Sequence, residues 1–426
     1  MHLLFIFPKW KKLTEGHPEL NREPGSAHIG SFKMAGIGIP TAVAALPSGH
    51  QVTLHDENLH PVDCSIRPDL VAISFFTPQA ARAYAIADEF VAQGVPVIGG
   101  GIHPTMAPED TLRHFTSIVR GPVENLWPEI LGDRARGQLK RIYVGQMDAP
   151  FVQPQREVFS DSTYLKAGIV QTARGCPLGC RFCVVPGCYG EPIQFKPIDA
   201  VLEDIRCLPY GCYFFADENL LFADATNRSY RCELLSRINE AGIWKIFFLA
   251  AYPFMVRELS GEDIQLLRQA GCRQLYLILG LRDPLKEELR DDTLRRKVTE
   301  MRAAGIEMFS TFTLGHDEDP PDVDAAILEF CDQIKTNLAE FTLHTPFPGT
   351  PMFVEFEKAG RLLTRDWDQY NGGNVVFQPR HESPESLQRR YVSLWKTFYG
   401  RLSPFSQNQR YAKGFGREIF RNETIA

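Results

Sequence analysis

The sequence lacks both the charge excess of a nucleic-acid-binding protein and the apolar run of a membrane-spanning one. Its 46 lysines and arginines are outnumbered by 52 aspartates and glutamates, which gives a formal net charge of -6. No basic surface for nucleic acid is therefore expected. No stretch approaches the roughly 20 apolar residues of a transmembrane helix. The apolar opening is followed by its lysines, whereas a secretory signal has its charges first. We expect a cytoplasmic protein with no nucleic-acid partner and no membrane span.

Internal repeats and low-complexity segments are also missing, and no Gly-x-Gly-x-x-Gly motif follows a predicted strand. The last absence argues against a nicotinamide-binding domain. The chain has 426 residues, which is enough for two or three domains of ordinary size.

Apolar strands alternate with helical stretches over residues 1–135. This pattern predicts a Rossmann-like, doubly wound parallel sheet. Such sheets bind ligands beyond the carboxyl ends of their strands. The residues predicted at those ends are Asp56, Ser74, Gly99, Gly100 and Gly101.

The alternation resumes after a proline-containing segment of mixed charge, residues 136–164, which we interpret as a linker. Residues 165–345 hold six predicted strands with helices between them, which indicates a partial (β/α)6 barrel. Residues 346–426 form a smaller, mainly helical C-terminal region. Active sites of barrels lie on the loops that follow the strands.

Three of the ten cysteines follow the first predicted barrel strand, in the segment ARGCPLGCRFCVVPGC. Cys176, Cys180 and Cys183 are separated by three and then two residues. In the reducing cytoplasm, such a group indicates a metal or redox site. Three thiolates at this spacing can hold a [4Fe–4S] cluster and leave one iron open. The alternative is a structural zinc site completed by Cys188.

This segment resembles the signature of the radical S-adenosylmethionine (SAM) enzymes, which place an aromatic residue before the third cysteine. Phe182 stands at that position. The resemblance implies that the open iron chelates SAM and that one electron from the cluster releases a 5′-deoxyadenosyl radical. The electron would come from a donor such as flavodoxin or ferredoxin.

Two further loops are similar to parts of the family that contact SAM. After the second barrel strand, Glu218 and Asn219 stand where the family contacts the SAM amino group, although the same run could simply cap the next helix. After the fourth strand the family often has Gly-x-Glu near the SAM ribose. Here Gly280 is followed by Leu281 and Arg282, so the acidic residue is missing.

The first 135 residues resemble the cobalamin-binding domains that precede some radical SAM barrels. The resemblance implies that Ser74, Gly99, Gly100 and Gly101 line a slot for the nucleotide tail of cobalamin, where glycine leaves room. His103 is expected to pack near the corrin or to cap a helix. The alternative is a Rossmann-like unit that binds nothing or serves as a docking surface.

Together these features predict a cobalamin-dependent radical SAM methyltransferase that acts on an unactivated carbon or phosphorus of a small-molecule substrate. The runner-up keeps both cofactors but closes a ring, rearranges or oxidises its substrate. A radical SAM enzyme without cobalamin and a zinc-stabilised interaction protein are the remaining alternatives.

Overall fold

The computed structural model of the chain describes residues 1–10, 16–22, 36–159, 166–217, 219–320, 322–336 and 338–401. Within these residues the backbone forms two six-stranded sheets and one two-stranded sheet. Every strand pairing inside the two large sheets is parallel. Parallel strands require crossover connections, and helices supply most of them here. This α/β architecture confirms the predicted fold class.

The first sheet has the strand order β2-β1-β3-β4-β5-β6. Its strands are His2–Phe7 (β1), Gln51–Asp56 (β2), Leu70–Ser74 (β3), Val97–Gly100 (β4), Ser117–Arg120 (β5) and Ile142–Val144 (β6). The order reverses between β1 and β3, and ligands of doubly wound sheets bind at such a point.

Helices cover both faces of this sheet, which explains why its inner strands read as nearly continuous apolar runs. They are Gly38–Ala44 (α1), Ala80–Ala92 (α2), Ile102–Met106 (α3), Pro108–Thr111 (α4) and Trp127–Ala135 (α5). Leu4 and Ile6 pack into the core on one face, and Leu3 and Phe5 pack into the core on the other.

The edge strand β6 lies in the segment that the sequence analysis assigned to a linker. Ile142 and Val144 are exposed and only Tyr143 between them is buried, so the strand has no continuous apolar run. The predicted division into residues 1–135, 165–345 and 346–426 stays a prediction.

The second sheet forms the predicted partial barrel, with the strand order β14-β13-β12-β11-β10-β7. Its strands are Gly168–Val170 (β7), Cys212–Phe215 (β10), Ile246–Ala251 (β11), Cys272–Leu279 (β12), Glu307–Leu314 (β13) and Leu338–Leu343 (β14). Between β7 and β10, the short strands Ala173–Arg174 (β8) and Gln194–Phe195 (β9) form an antiparallel pair.

Helices around the barrel bury the outward residues of its strands. They are Ile198–Cys207 (α7), Ala225–Glu240 (α8), Pro253–Glu258 (α9), Gly261–Gln269 (α10), Leu285–Glu288 (α11), Asp292–Ala303 (α12) and Val323–Gln333 (α13), whereas Val185–Tyr189 (α6) lies between β8 and β9. Phe312, for example, packs edge-on against Phe330 of α13. None of the helices in the described ranges is long and apolar enough to span a bilayer.

The C-terminal region contributes helices Pro351–Lys358 (α14) and Pro384–Gly400 (α15), and residues 402–426 lie outside the described part. Helix α15 packs on the edge strand of the barrel, where Trp395 lies edge-on against Phe341 at 5.4 Å between ring centroids. The tyrosine hydroxyl of Tyr399 donates to the carbonyl of Ala339 at 2.6 Å. An edge strand is thereby covered.

Trp367 attaches this region to the first domain. Its indole Nε1–H donates to Asp110 Oδ2 at 2.7 Å, and its ring lies against His103 at 5.4 Å between centroids. Trp367 is 8% exposed. The C-terminal region therefore joins the two sheets.

We predict that Trp367→Ala lowers the free energy of unfolding by about 3–5 kcal/mol, because it removes a buried indole and leaves a cavity. Trp244, which is 93% exposed, is the matched control. Trp244→Ala should change stability by less than about 0.5 kcal/mol. Chemical denaturation followed by tryptophan fluorescence and circular dichroism measures the free energy of unfolding of both variants. Equal effects of the two substitutions would contradict the role of Trp367 in joining the C-terminal region to the first sheet.

Candidate active site

The cysteine segment is a loop closed at its base by the β8–β9 pair. Arg174 is in register with Gln194 there, and the amide of Cys176 donates to the carbonyl of Gly190 at 3.2 Å. Gly175 has φ +85°, and a Cβ on it would lie 2.1 Å from the carbonyl oxygen of Pro192. Only glycine fits that close crossing of two backbones. The backbone thus fixes where the loop begins and ends.

The loop holds all three predicted cluster ligands, and each is partly buried. Cys183 lies nearest to helix α6, and its Sγ accepts the amide hydrogen of Val185 at 3.4 Å. Phe182 packs against the barrel core. In the described ranges, no three His, Cys, Asp or Glu side chains converge as ligands of a single metal ion.

Cys188 differs from the other three cysteines of the segment. It is 4% exposed inside helix α6, and burial raises the pKa of its thiol to about 12. Cys188 is thus enclosed by protein, whereas Cys176, Cys180 and Cys183 are partly accessible.

The acidic run after β10 supports the base of the cysteine loop. Asp217 accepts the amide hydrogens of Thr172 at 2.5 Å and Ala173 at 3.1 Å, and burial raises its pKa to about 6. Asn219 Nδ2 donates to the carbonyl of Gly175 at 2.9 Å. Its other side-chain atom, Oδ1, is buried and has no partner among the described residues. Glu218 lies outside the described residues.

Gly280 is the centre of a buried network after β12. Its amide donates to Glu288 Oε2 at 2.7 Å, and its carbonyl is 2.9 Å from His344 Nε2. Burial raises the pKa of Glu288 to about 8 and lowers that of His344 to about 4. Glu288, from the next helix, thus places a carboxyl group on the backbone of Gly280. Sequence reasoning missed it because the spacing is eight residues rather than two.

Small residues surround Ser74 at the carboxyl edge of the first sheet. Ser74 is in register with Gly100, and a Cβ on Gly101 would be 3.3 Å from Ser74 Oγ. Gly38 approaches the same hydroxyl from helix α1, at 3.9 Å from an added Cβ. A Cβ on Gly100 would meet nothing within 4 Å. Ser74, Gly100, Gly101 and Gly38 therefore lie together at this edge, which is open beside Gly100 and which we call the slot. Sequence reasoning missed Gly38.

Gly99 and His103 face the interior instead of this slot. A Cβ on Gly99 would lie 3.0 Å from the ring of Phe115. His103 is fully buried, with Nε2 2.7 Å from the hydroxyl of Tyr84 and Nδ1 3.1 Å from that of Thr77. Burial lowers its pKa to about 4, so the ring is neutral. The geometry gives both residues a supporting position behind the slot, and a direct contact of His103 with a corrin stays a prediction that this burial disfavours.

A carboxyl group also lies within the barrel. Tyr276 on β12 donates its hydroxyl hydrogen to Glu340 on β14, and both side chains are partly accessible although neighbours such as Leu275 and Leu277 are fully buried. Burial raises the pKa of Glu340. The barrel strands therefore carry a polar pair among apolar neighbours. This pair could not be predicted from the sequence, because its members are 64 positions apart.

The loops of the two sheets touch each other. Helix α3 follows Gly101 directly and rests against helix α6 of the cysteine loop. A Cβ on Gly187 would lie only 2.5 Å from Met106 Sδ. The slot and the cysteine loop therefore flank one interface between the sheets.

No family model matches the chain, but curated proteins do. It is 30% identical over 347 residues to the bacteriochlorophyllide d C-12(1)-methyltransferase of Chlorobaculum tepidum, covering 78% of this chain and 75% of that protein. It is 25% identical to the hopanoid C-2 methylase of Rhodopseudomonas palustris, covering 96% of this chain and 82% of that protein.

Among solved structures, the chain resembles the radical SAM methyltransferase TsrM of Kitasatospora setae, determined with cobalamin and a [4Fe–4S] cluster bound. The TM-score is 0.62 at 18% identity, over 92% of this chain and 85% of TsrM. This likeness supports the fold alone, whereas the identity to the Chlorobaculum protein extends over most of both chains. The chain therefore belongs to the radical SAM enzymes that carry an N-terminal cobalamin-binding domain.

Proposed function

We propose that this enzyme is a cobalamin-dependent radical SAM methyltransferase that acts on an unactivated carbon, or phosphorus, of a small molecule. The observation that carries the proposal is the meeting of the two sets of loops, where Met106 of the slot side touches Gly187 of the cysteine side. A methyl donor and a radical must lie close together to act on one substrate. The relatives named above methylate carbon atoms of bacteriochlorophyllide d and of hopanoids.

Cys176, Cys180 and Cys183 are the proposed cluster ligands. A [4Fe–4S] cluster takes one thiolate for each of three irons, so the sulfurs need not converge on one point. The Val185 amide at Cys183 Sγ suits a thiolate ligand, since hydrogen bonds to the sulfurs tune such clusters. Phe182 packs between this loop and the barrel core and would hold the third ligand in place.

The loops after β10 and β12 are proposed to hold SAM beside the open iron. Asn219 Oδ1 is a buried acceptor in need of a donor, and the protonated amino group of SAM can supply one. Asn219 also holds Gly175, which directly precedes Cys176. Gly280 would approach the ribose with its backbone, kept in place by Glu288 and His344. Glu218 stays a prediction for the amino group.

The slot around Ser74 is proposed to take the nucleotide tail of cobalamin. Its walls would be the Ser74 hydroxyl and the backbones of Gly38, Gly100 and Gly101, and the space beside Gly100 is open, since a Cβ there would meet nothing within 4 Å. Gly99 and His103 would support the slot from within the core.

When bound, SAM on the reduced cluster supplies a 5′-deoxyadenosyl radical, and cobalamin supplies the methyl group. The protein would hold SAM and cobalamin and exclude water from them with apolar side chains of the barrel strands, such as Phe248 and Phe309, which are each 7% exposed. Glu340 and Tyr276 would bind a polar group of the substrate within the barrel. The electron would come from a flavodoxin or ferredoxin, and the reduced thiols suit the cytoplasm.

Ring closure is the second candidate reaction. The chain is 20% identical to the anaerobic magnesium-protoporphyrin IX monomethyl ester cyclase of Rubrivivax gelatinosus, over 81% of this chain and 68% of that protein. Ring closure is therefore one of the two outcomes that the measurement of SAM products, described below, distinguishes.

The cluster ligands can be tested by alanine substitution. Cys176→Ala, Cys180→Ala and Cys183→Ala should each abolish the iron–sulfur absorbance after anaerobic reconstitution and all reductive SAM cleavage, because each removes one thiolate ligand. Cys188→Ala is the matched control and should retain both properties, since its thiol is buried and protonated. Loss of the cluster in Cys188→Ala, together with one bound zinc in the unmodified protein, would favour the zinc site instead.

The cobalamin slot can be tested at Gly100. Because a Cβ there meets nothing within 4 Å, Gly100→Leu should fold normally and release cobalamin while the cluster stays in place. Gly261→Leu is the control, since a Cβ at Gly261 in the barrel also meets nothing within 4 Å. Anaerobic gel filtration followed by visible spectroscopy of the protein fraction measures both cofactors. Unchanged cobalamin in Gly100→Leu and in Ser74→Leu would place the corrinoid elsewhere.

The reaction type can be tested from the products of SAM. A methyltransferase of this kind should form S-adenosylhomocysteine and 5′-deoxyadenosine in near-equal amounts when substrate is present. The first product records methyl donation and the second records radical formation. The substrate probe is bacteriochlorophyllide d, chosen because the name of the Chlorobaculum relative gives it as the methylated molecule. Formation of 5′-deoxyadenosine without S-adenosylhomocysteine or any methylated product would overturn the methyltransferase and favour ring closure.

A further inference from the structure

A buried ion pair crosses between the two sheets beside the cysteine loop. Arg174 ends strand β8, two positions before Cys176, and Glu124 follows strand β5 of the first sheet. Arg174 Nη2 is 2.5 Å from Glu124 Oε1, and the two side chains are only 4% and 6% exposed. The pair therefore links the base of the cysteine loop to the carboxyl edge of the first sheet.

The rest of the Arg174 guanidinium is also held. Its Nε donates to Gln171 Oε1 at 3.2 Å, and its Nη1 donates to the carbonyl of Ala149 at 3.5 Å. The ring of Phe151 lies 4.6 Å from its central carbon. A planar guanidinium with partners on several sides has one preferred orientation, which an ammonium in the same place would lack.

The burial of this pair suggests a role other than stability. Two charges lose their hydration when they are buried, and apolar residues of similar volume often stabilise a protein as well or better. A charged pair does, however, restrict how two surfaces dock, because any shift leaves a charge unpaired in a medium of low dielectric constant. Arg174 and Glu124 are thus suited to fix a relative position.

We propose that Arg174 and Glu124 are positioning residues that set the separation and orientation of the iron–sulfur cluster relative to cobalamin. The inference rests on the proposed function, since it needs both cofactors to bind. The pair joins the base of the cysteine loop to the segment after β5, where the Gly121 amide donates to Thr105 of helix α3, the helix that directly follows the slot. A reacting group misplaced by 1 Å can cost about 100-fold in rate, so a rigid link at this junction would control methyl transfer.

The barrel offers a matched control for this pair. Arg231 Nη2 is 2.9 Å from Asp263 Oδ1, and these side chains are 3% and 5% exposed. Both lie within the barrel, on helices α8 and α10, so their ion pair does not join the two sheets. A substitution of Arg231 therefore removes an ion pair as buried as that of Arg174 and Glu124, but leaves the contacts between the two sheets unchanged.

The direct test is the distance between the reduced cluster and cob(II)alamin, both of which are paramagnetic, measured by pulsed electron paramagnetic resonance. Glu124→Gln and Arg174→Gln should keep iron and cobalt contents but broaden or shift the distance distribution. Arg231→Gln should lower the thermal stability and leave the distribution unchanged. With bacteriochlorophyllide d as probe, methyl transfer should fall by about 100-fold in the first two variants.

The double variant Glu124→Gln with Arg174→Gln separates positioning from stability. It should regain thermal stability, because no buried charge is left unpaired. The distance distribution should stay broad, because two amides cannot replace the charged pair. Arg174→Lys should restore only part of the native distribution, since it keeps the charge but loses the planar fork.

The outcomes separate this inference from the proposed function. An unchanged distance distribution in Glu124→Gln, in Arg174→Gln and in the double variant would overturn the positioning role and leave the methyltransferase standing. If a single variant fails to fold, the double variant alone decides by the same criterion. Absence of a cob(II)alamin signal from the unmodified, reconstituted protein would overturn the proposed function and this inference with it.

Discussion

Met106 rests so closely on Gly187 that an added Cβ there would lie 2.5 Å from its sulfur. This contact brings the carboxyl-end loops of two separate parallel sheets onto one interface. Parallel pairing places every strand-end loop of a sheet on one edge, so docking those two edges places all candidate binding residues near one gap. The slot around Ser74 and the loop of Cys176 could not serve one reaction without it.

Buried polar groups hold this arrangement in place. Asp217 binds the backbone just before the cysteine loop, and Asn219 binds Gly175 at its start. Glu288 and His344 hold the two sides of Gly280. Each contact fixes backbone rather than presenting a charge to solvent, as expected for loops that must position cofactors precisely.

Local features could be predicted from the sequence, and long-range partners could not. The spacing of Cys176, Cys180 and Cys183 is local, and the buried strands are continuous apolar runs, so the sequence identified the cluster motif and both sheets. Strand β6 was assigned to a linker because its segment has mixed charge, contains prolines and has no sustained period. Two of its three side chains are exposed, which explains the missing apolar run. The partners of Arg174 and Tyr276 lie 50 and 64 positions away, and only the fold brings them together. His103 was expected to pack near the corrin or to cap a helix, whereas the packing of Trp367 and Tyr84 buries it.

The central claim is that one chain holds a [4Fe–4S] cluster and a cobalamin at a shared interface. The most direct measurement is the metal content of the anaerobically reconstituted protein, determined by elemental analysis alongside its Mössbauer spectrum. The account predicts about four irons and about one cobalt for each chain, with the Mössbauer parameters of a [4Fe–4S] cluster. A chain that binds one zinc and neither iron nor cobalt would contradict it.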